Sequence, residues 1–241
     1  MIDHSLKTRM GTRLSALFNA IPETTTEFWD LCCDHGAAGR AILESRPSCP
    51  VVFNDIHSDI MAHLEHQLAE LAADNYRLAI CPAERLELTA SRQPTLLLAG
   101  VGAEQCIVIL AHLFAQPASA SASFIISPAT KMYWVRQFLI EQGAYLLAEQ
   151  VVTEHNRSYE ILTIRREPTS SGLAMIDHPD FSHGDCWLPA DPNHRRHINK
   201  LIAYYGAQLE HRPTPQSKAI VQGYQNILKK LSLKKIGIIQ S

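Results

Sequence analysis

No apolar run in the 241 residues approaches the roughly 20 that a bilayer-spanning helix requires, and no C-x-x-C pair occurs among the six cysteines. The first absence argues against a membrane span. Cys32, Cys33, Cys49, Cys81, Cys106 and Cys186 lie at irregular spacing, mostly within apolar segments, as reduced core thiols do, so a disulfide framework is not expected. There is no repeat period and no low-complexity tract. The start Met1-Ile2-Asp3-His4-Ser5-Leu6-Lys7 is polar and lacks the apolar core of a signal peptide, which makes the cytoplasm the expected compartment.

What is present suffices for one substantial core and an appended piece: 46% of residues are hydrophobic and 19% charged. The net charge of −2 hides a division. From His194 onward nine Lys and Arg face one acid, Glu210, leaving that tail at +8 and residues 1–193 at −10. A polyanion should therefore prefer the tail and be repelled by most of the body.

Leu6, Met10, Leu14, Leu17 and Phe18 recur at helical spacing, and Pro22 closes the pattern, predicting a short amphipathic helix. An alternation follows. Strands are predicted near 28–33, 50–56, 76–81, 94–100 and 122–127, with helices near 37–45, 58–73, 103–116 and 130–142, the last capped by Gly143. Repeated strand–helix units imply a mainly parallel sheet covered on both faces. Ala144 to Thr153 and Ser158 to Arg165 are joined by only Glu154-His155-Asn156-Arg157, too short for a helical crossover, so they must form a terminal antiparallel hairpin. Residues 167–193, rich in Pro, Ser, Asp, Gly and His, are expected as a connecting loop rather than a packed element. Ile198, Leu201, Ile202, Tyr205 and Leu209 mark one further helix, and Ile220, Val221, Tyr224, Ile227, Leu228 and Leu231 another. Arg212-Pro213-Thr214-Pro215 between them should fold the pair into a hairpin. The expected division is thus 1–166, a connecting loop 167–193 and a basic helical hairpin 194–241.

The chemistry concentrates where strands end. Phe28-Trp29-Asp30-Leu31-Cys32-Cys33-Asp34-His35-Gly36 breaks an apolar strand at a small-residue, acid-containing turn, and Val51-Val52-Phe53-Asn54-Asp55 ends a second strand in an acid. This is how an open parallel sheet holds an adenosine-type cofactor, the second acid meeting ribose hydroxyls. Nicotinamide enzymes share that logic, so the motif alone leaves the cofactor open.

A parallel sheet ending in an antiparallel hairpin resembles the class I, Rossmann-like S-adenosylmethionine-dependent methyltransferases. More narrowly, the chain resembles the TrmK-type tRNA (adenine(22)-N1)-methyltransferases. The carriers are Asp30-Leu31-Cys32-Cys33-Asp34-His35 for the family's Asp-x-Gly-x-Asp-His turn, Asn54-Asp55-Ile56 for Gly-Glu-Ile, Ala99-Gly100-Val101-Gly102-Ala103 for Ala-Gly-Met-Gly-Gly, and Tyr159-Glu160 near the last strand. Two departures stand out. Cys32 replaces a glycine, so the turn is expected to take a backbone compatible with a Cβ. Ser127-Pro128-Ala129 stands where the family has Gln-Pro-Asn, removing two amides able to read a base edge.

The resemblance implies an α/β catalytic domain with a C-terminal helical domain, S-adenosyl-L-methionine as cofactor, tRNA as partner and N1 of an adenine as acceptor, with no metal. Cofactor contacts are expected from Asp30, Cys32, Gly36, Asp55, Ile56, Glu84, Gly100, Val101 and Gly102. Asp34 and His35, and less directly Glu104, are the charged candidates for the transfer step. A target adenine must be unpaired, and Tyr133 and Trp134 are candidates to stack on it; Arg195, Arg196, Lys229 and Lys230 are candidates to grip phosphate.

Other readings are weighed on the same residues. Cys32, Cys33 and His35 as metal ligands lack a second ligand pair, and adjacent strand cysteines point to opposite faces. Cys33 with His35 as nucleophile and base lacks an orienting acid. The chief alternatives are a non-catalytic RNA-binding protein with a degenerate methyltransferase fold, or a methyltransferase with a different acceptor.

Overall fold

The computed structural model describes residues 6–89, 93–169, 172–177 and 180–238, so residues 1–5 of the expected catalytic domain and 239–241 of the expected tail lie outside the described residues. The same holds for the side chains of Lys234 and Lys235. The helices are α1 (Thr12–Asn19), α2 (Ala37–Ser45), α3 (Ser58–Glu70), α4 (Ala103–Phe114), α5 (Met132–Glu141), α6 (Pro192–His211) and α7 (Pro215–Ile238). The strands are β1 (Glu27–Leu31), β2 (Val51–Asp55), β3 (Tyr76–Ile80), β4 (Pro94–Ala99), β5 (Ser123–Ser127), β6 (Tyr145–Glu154), β7 (Arg157–Arg165) and β8 (Leu173–Ala174).

The strands form one sheet in the order β3-β2-β1-β4-β5-β7-β6-β8. β1 pairs parallel with β2 and β4, while β7 runs antiparallel to β6, as the short 154–157 connection requires, and also to β5. Helices cover both faces, and the period of two along each strand divides its side chains between them. Trp29, Leu96, Leu98 and Phe124 pack with Ile109, Leu113 and Val135 on one side. Phe28, Phe53, Leu97 and Ile125 pack with Leu17, Ile42, Met61 and Leu64 on the other. Gly143 follows α5 at φ 65°, and the Ala144 N–H donates to the Leu139 carbonyl (3.0 Å), so the chain reverses into β6 as expected.

Three expectations change. Leu6 and Met10 lie outside α1 yet pack against the same cluster as Leu17. The reason is local: the Glu44 carboxylate accepts from the Lys7 N–H (2.5 Å) and the Thr8 N–H (3.0 Å), and the chain is still extended at Gly11, so the helix starts late. Residues 167–193 are not merely a connection, because β8 joins the sheet and Met175, Phe181 and Trp187 are buried. Their apolar residues are too sparse for periodicity; long-range partners hold them, among them Arg136, which donates to the Phe181 carbonyl (3.2 Å), and Glu149, which accepts from the Asp185 N–H (2.8 Å). Finally, the α6–α7 hairpin does not close only on itself. Tyr205 stacks on Tyr224 (centroids 5.9 Å apart), but the same cluster includes Tyr133 of α5 and Trp187, which dock the hairpin onto the body. Thr214 and Ser217 cap α7 reciprocally, each hydroxyl accepting from the other's N–H (2.9 and 3.0 Å).

Candidate active site

Strand order reverses between β1 and β4, and the carboxyl ends of β1, β2 and β4 open there onto a crevice of about 910 Å³. Of the residues expected to bind a cofactor, Asp30, Cys32, Asp55, Ile56, Glu84, Gly100 and Val101 line it, as do Asp34 and His35. Gly36 and Gly102 stand just behind the lining, as the N-cap residues of α2 and α4.

Each acid has a distinct position. Asp30, next to last in β1, is buried, and its Oδ2 accepts from the Gly39 N–H (2.9 Å), serving the first turn of α2, whose own N-cap residue supplies no side-chain bond. Burial pushes the Asp30 carboxyl up to about 7, with the Gly39 bond opposing and Asp55 adding to the rise. Asp55 accepts from the Asp34 N–H (3.1 Å) through Oδ2 and from the His57 N–H (3.1 Å) through Oδ1. It therefore shapes the turn after β1 and keeps lone pairs for a ligand. Glu84 is oriented by Gln105, whose amide donates to it (3.1 Å). Asp34 and His35 are exposed, their side chains 3.6 Å apart.

The turn after β1 does not relax to accommodate a Cβ. Cys32 takes φ 51° and Asp34 φ 50°, a left-handed backbone normally reserved for glycine that costs about 1 kcal/mol or more per residue. The Cys33 N–H donates to the Asn54 carbonyl (2.9 Å), and Asp55 holds the Asp34 N–H, so the strain is carried by β2. Burial pushes the Cys32 thiol up to about 11, with Asp55, Glu84 and Asp30 adding, and raises Cys33 further. Burial thus favours the neutral thiol at both positions, which argues against Cys33 as a nucleophile. Gly100, at φ 86°, has open space within 4 Å of where a Cβ would project, leaving its backbone bare to the crevice.

Two lining residues carry no local signal in the sequence. Arg13 of α1 donates to the Ser127 carbonyl (2.9 Å) and lies 4.1 Å over the Tyr159 ring, while Glu154 accepts from the Arg13 N–H (3.1 Å). The side of the crevice where the sequence lacks base-reading amides thus has a guanidinium. Only the packing of α1 against β6 brings these residues together.

The substrate candidates fare unevenly. Tyr133 is a correction: it is 6% exposed and its ring lies against Trp134, His183 and Tyr205, so it is core that joins α5 to the tail, not a platform for a base. Trp134 is half-buried and packs on the same cluster. Arg195 ties α6 to α7 through Ser232 (3.1 Å), and Lys230 pairs with Asp180. Arg196 donates to Asn156 and Asn193, whereas Lys229 is exposed. Glu104, at the start of α4, pairs with Lys131 and lies outside the crevice lining.

The sequence profile of the methyltransferase domain family matches residues 10–162, from the start of α1 to the middle of β7. The chain belongs to this family. Among relatives of this methyltransferase, a Mycoplasma pneumoniae protein bearing a provisional tRNA methyltransferase name is 24% identical over 159 residues, 64% of this chain and 71% of its own. The crystal structure of the B. subtilis m1A22 tRNA methyltransferase TrmK superposes with a TM-score of 0.67 at 15% identity, covering 94% of this methyltransferase and 98% of that chain. M. capricolum TrmK, solved with S-adenosylhomocysteine, superposes with a TM-score of 0.68 at 12% identity, covering 93% and 97%. At such identities the superpositions establish the shared fold, and they extend through the α6–α7 tail. Among the described residues no helix is long and apolar enough to cross a membrane.

Proposed function

We propose that the protein is an S-adenosyl-L-methionine-dependent methyltransferase that methylates N1 of an adenine in tRNA. The observation that carries this reading is the crevice at the β1/β4 reversal, lined by Asp30, Asp34, Asp55, Glu84 and Glu154 with Arg13 as the basic side chain beside them. An acid-rich pocket suits a ligand with ammonium and sulfonium charges. In this reading Asp55, at the end of β2, accepts from ribose hydroxyls and Ile56 offers apolar surface to adenine, supported by their shared place at the crevice rim and by the 59% exposure of Ile56. The likeness to TrmK structures, one holding the cofactor product, adds support for cofactor and acceptor.

The cofactor supplies an electrophilic methyl group for in-line displacement; the protein's part is alignment. The bare Gly100 backbone and Val101 let a flat base approach the crevice, and the Ser127-Pro128-Ala129 loop beside them is held by the Gly100 N–H donating to the Ser127 carbonyl (3.0 Å) and the Ala129 N–H donating to the Val101 carbonyl (2.8 Å). Attack by adenine N1 leaves positive charge on the base, and the exposed Asp34 and His35 at the rim are the groups that stabilise it or take the released proton. The proposed compartment is the cytoplasm, in keeping with six free cysteines and a tRNA substrate.

The test is incubation with labelled S-adenosylmethionine and unmodified tRNA, followed by nucleoside mapping; N1-methyladenosine is expected. Absence of label, or label in another nucleoside, contradicts the acceptor. Asp55→Ala should weaken cofactor binding more than tenfold in calorimetry while circular dichroism stays folded, and wild-type affinity would remove Asp55 from the site.

A further inference from the structure

A second groove, of about 610 Å³, lies beside the crevice between the 128–132 segment, β7 and α6, and Arg13 lines both. Its charge is opposite. Arg13, Lys131, Arg157 and Lys200 line it, and the one acid, Glu160, is already engaged by Arg136 (2.9 Å) and His197 (3.7 Å). The Arg157 side chain makes no hydrogen bond or ion pair among the described residues. Among the described residues Lys200 has only the Asn156 carbonyl, at 3.3 Å. Tyr204 leaves 42% of its surface exposed at this wall. Tyr205, also in the lining, is 1% exposed, and its hydroxyl has no hydrogen-bond partner among the described residues.

We infer that this groove seats the nucleotide adjoining the methylated adenine, with its phosphodiester between Arg157 and Lys200 and its unstacked base against Tyr204. The inference rests on the RNA reading above. A base pulled from its stack into the acid-lined crevice carries its neighbour with it, and backbone phosphate is excluded from that crevice by charge. The adjacent groove offers the complementary field. Arg13, oriented by Ser127 and stacked on Tyr159, forms the threshold between the two, and the free cations with an exposed ring next to it match what single-stranded RNA needs: charge for the backbone and a π-face for the base.

The experiment compares wild type with Arg157→Ala/Lys200→Ala, Tyr204→Ala and Tyr204→Phe, using an unmodified tRNA transcript as probe and cofactor affinity as the parallel measurement. The double variant should bind the transcript on the order of tenfold more weakly, its log–log salt slope falling by about 0.7 per lost contact. Tyr204→Ala should raise the KM for tRNA severalfold and Tyr204→Phe should restore it, since stacking needs the ring and not the hydroxyl. Cofactor affinity should stay within twofold throughout. Wild-type transcript affinity and salt slope in the double variant, or equal KM in both Tyr204 variants, would overturn the inference. If wild type transfers no methyl to tRNA, the acceptor reading fails, while the groove is still judged by the binding arm.

Discussion

Asp30 concentrates the conflict between stability and function in one carboxyl. In the unfolded chain it titrates near 3.9, and in the fold burial lifts it to about 7. The group is raised on folding, so its favourable contribution is complete below about pH 4 and is lost as pH rises through 7, by an amount on the order of a few kcal/mol. Asp30→Asn keeps an acceptor for Gly39 and never ionises. The variant should match wild type in thermal midpoint at about pH 4, melt several degrees higher at pH 8, and bind cofactor more weakly. Melting curves that stay parallel from pH 5 to pH 8 would contradict this. Asp30 and Asp55 are legible in the sequence because each stands at or next to the end of an apolar strand. Arg13 and Glu154 are not, because their meeting depends on how α1 lies against β6.

At the scale of elements, β1, β2 and α2 form the unit that builds the first turn. Gly39 faces Phe53 so closely that a Cβ would stand 2.2 Å from its ring, and its N–H is the donor to Asp30. Gly39→Ala should cost about 1–3 kcal/mol in denaturant unfolding and weaken cofactor binding, because Phe53 or α2 must move; a variant as stable as wild type would show that the helix shifts freely. The strand and helix alternation was readable because buried strands are continuous apolar runs and the helices keep a 3.6-residue period. Residues 167–193 carry no such signal for the converse reason: Met175, Phe181 and Trp187 are anchors without a period, in a segment held by Arg136, Gln137 and Glu149 far away in the chain.

Across the whole molecule, body and tail are joined by Arg136, fully buried in α5. It donates to Glu160 (3.2 and 2.9 Å) of β7, to Glu149 (2.9 Å) of β6 and to the Phe181 carbonyl (3.2 Å), and Glu160 reaches His197 of α6. Burial alone would lower the guanidinium, yet Glu160 and Glu149 outweigh it and hold Arg136 charged; Glu160, which burial would raise, is held below its ordinary value by Arg136 and His197. Arg136→Ala should destabilise the protein by about 3–5 kcal/mol, since it strands the buried Glu160 carboxylate and deprives half-buried Glu149 of its partner. Arg136→Met combined with Glu160→Gln and Glu149→Gln should recover much of that loss. A single variant within 1 kcal/mol of wild type by denaturant titration would mean that solvent reaches the cluster.

The sequence by itself determined the strand–helix succession, the terminal hairpin, the acids at the strand ends and the cationic tail, because each follows from local periodicity, turn length or composition. Tertiary structure alone decided the left-handed turn at Cys32, the conversion of Tyr133 from candidate platform to core, the Arg136 cluster and the cationic groove beside the crevice. Those depend on side chains separated by tens to more than a hundred residues, and no local pattern records which of them the packed layers will bring within reach.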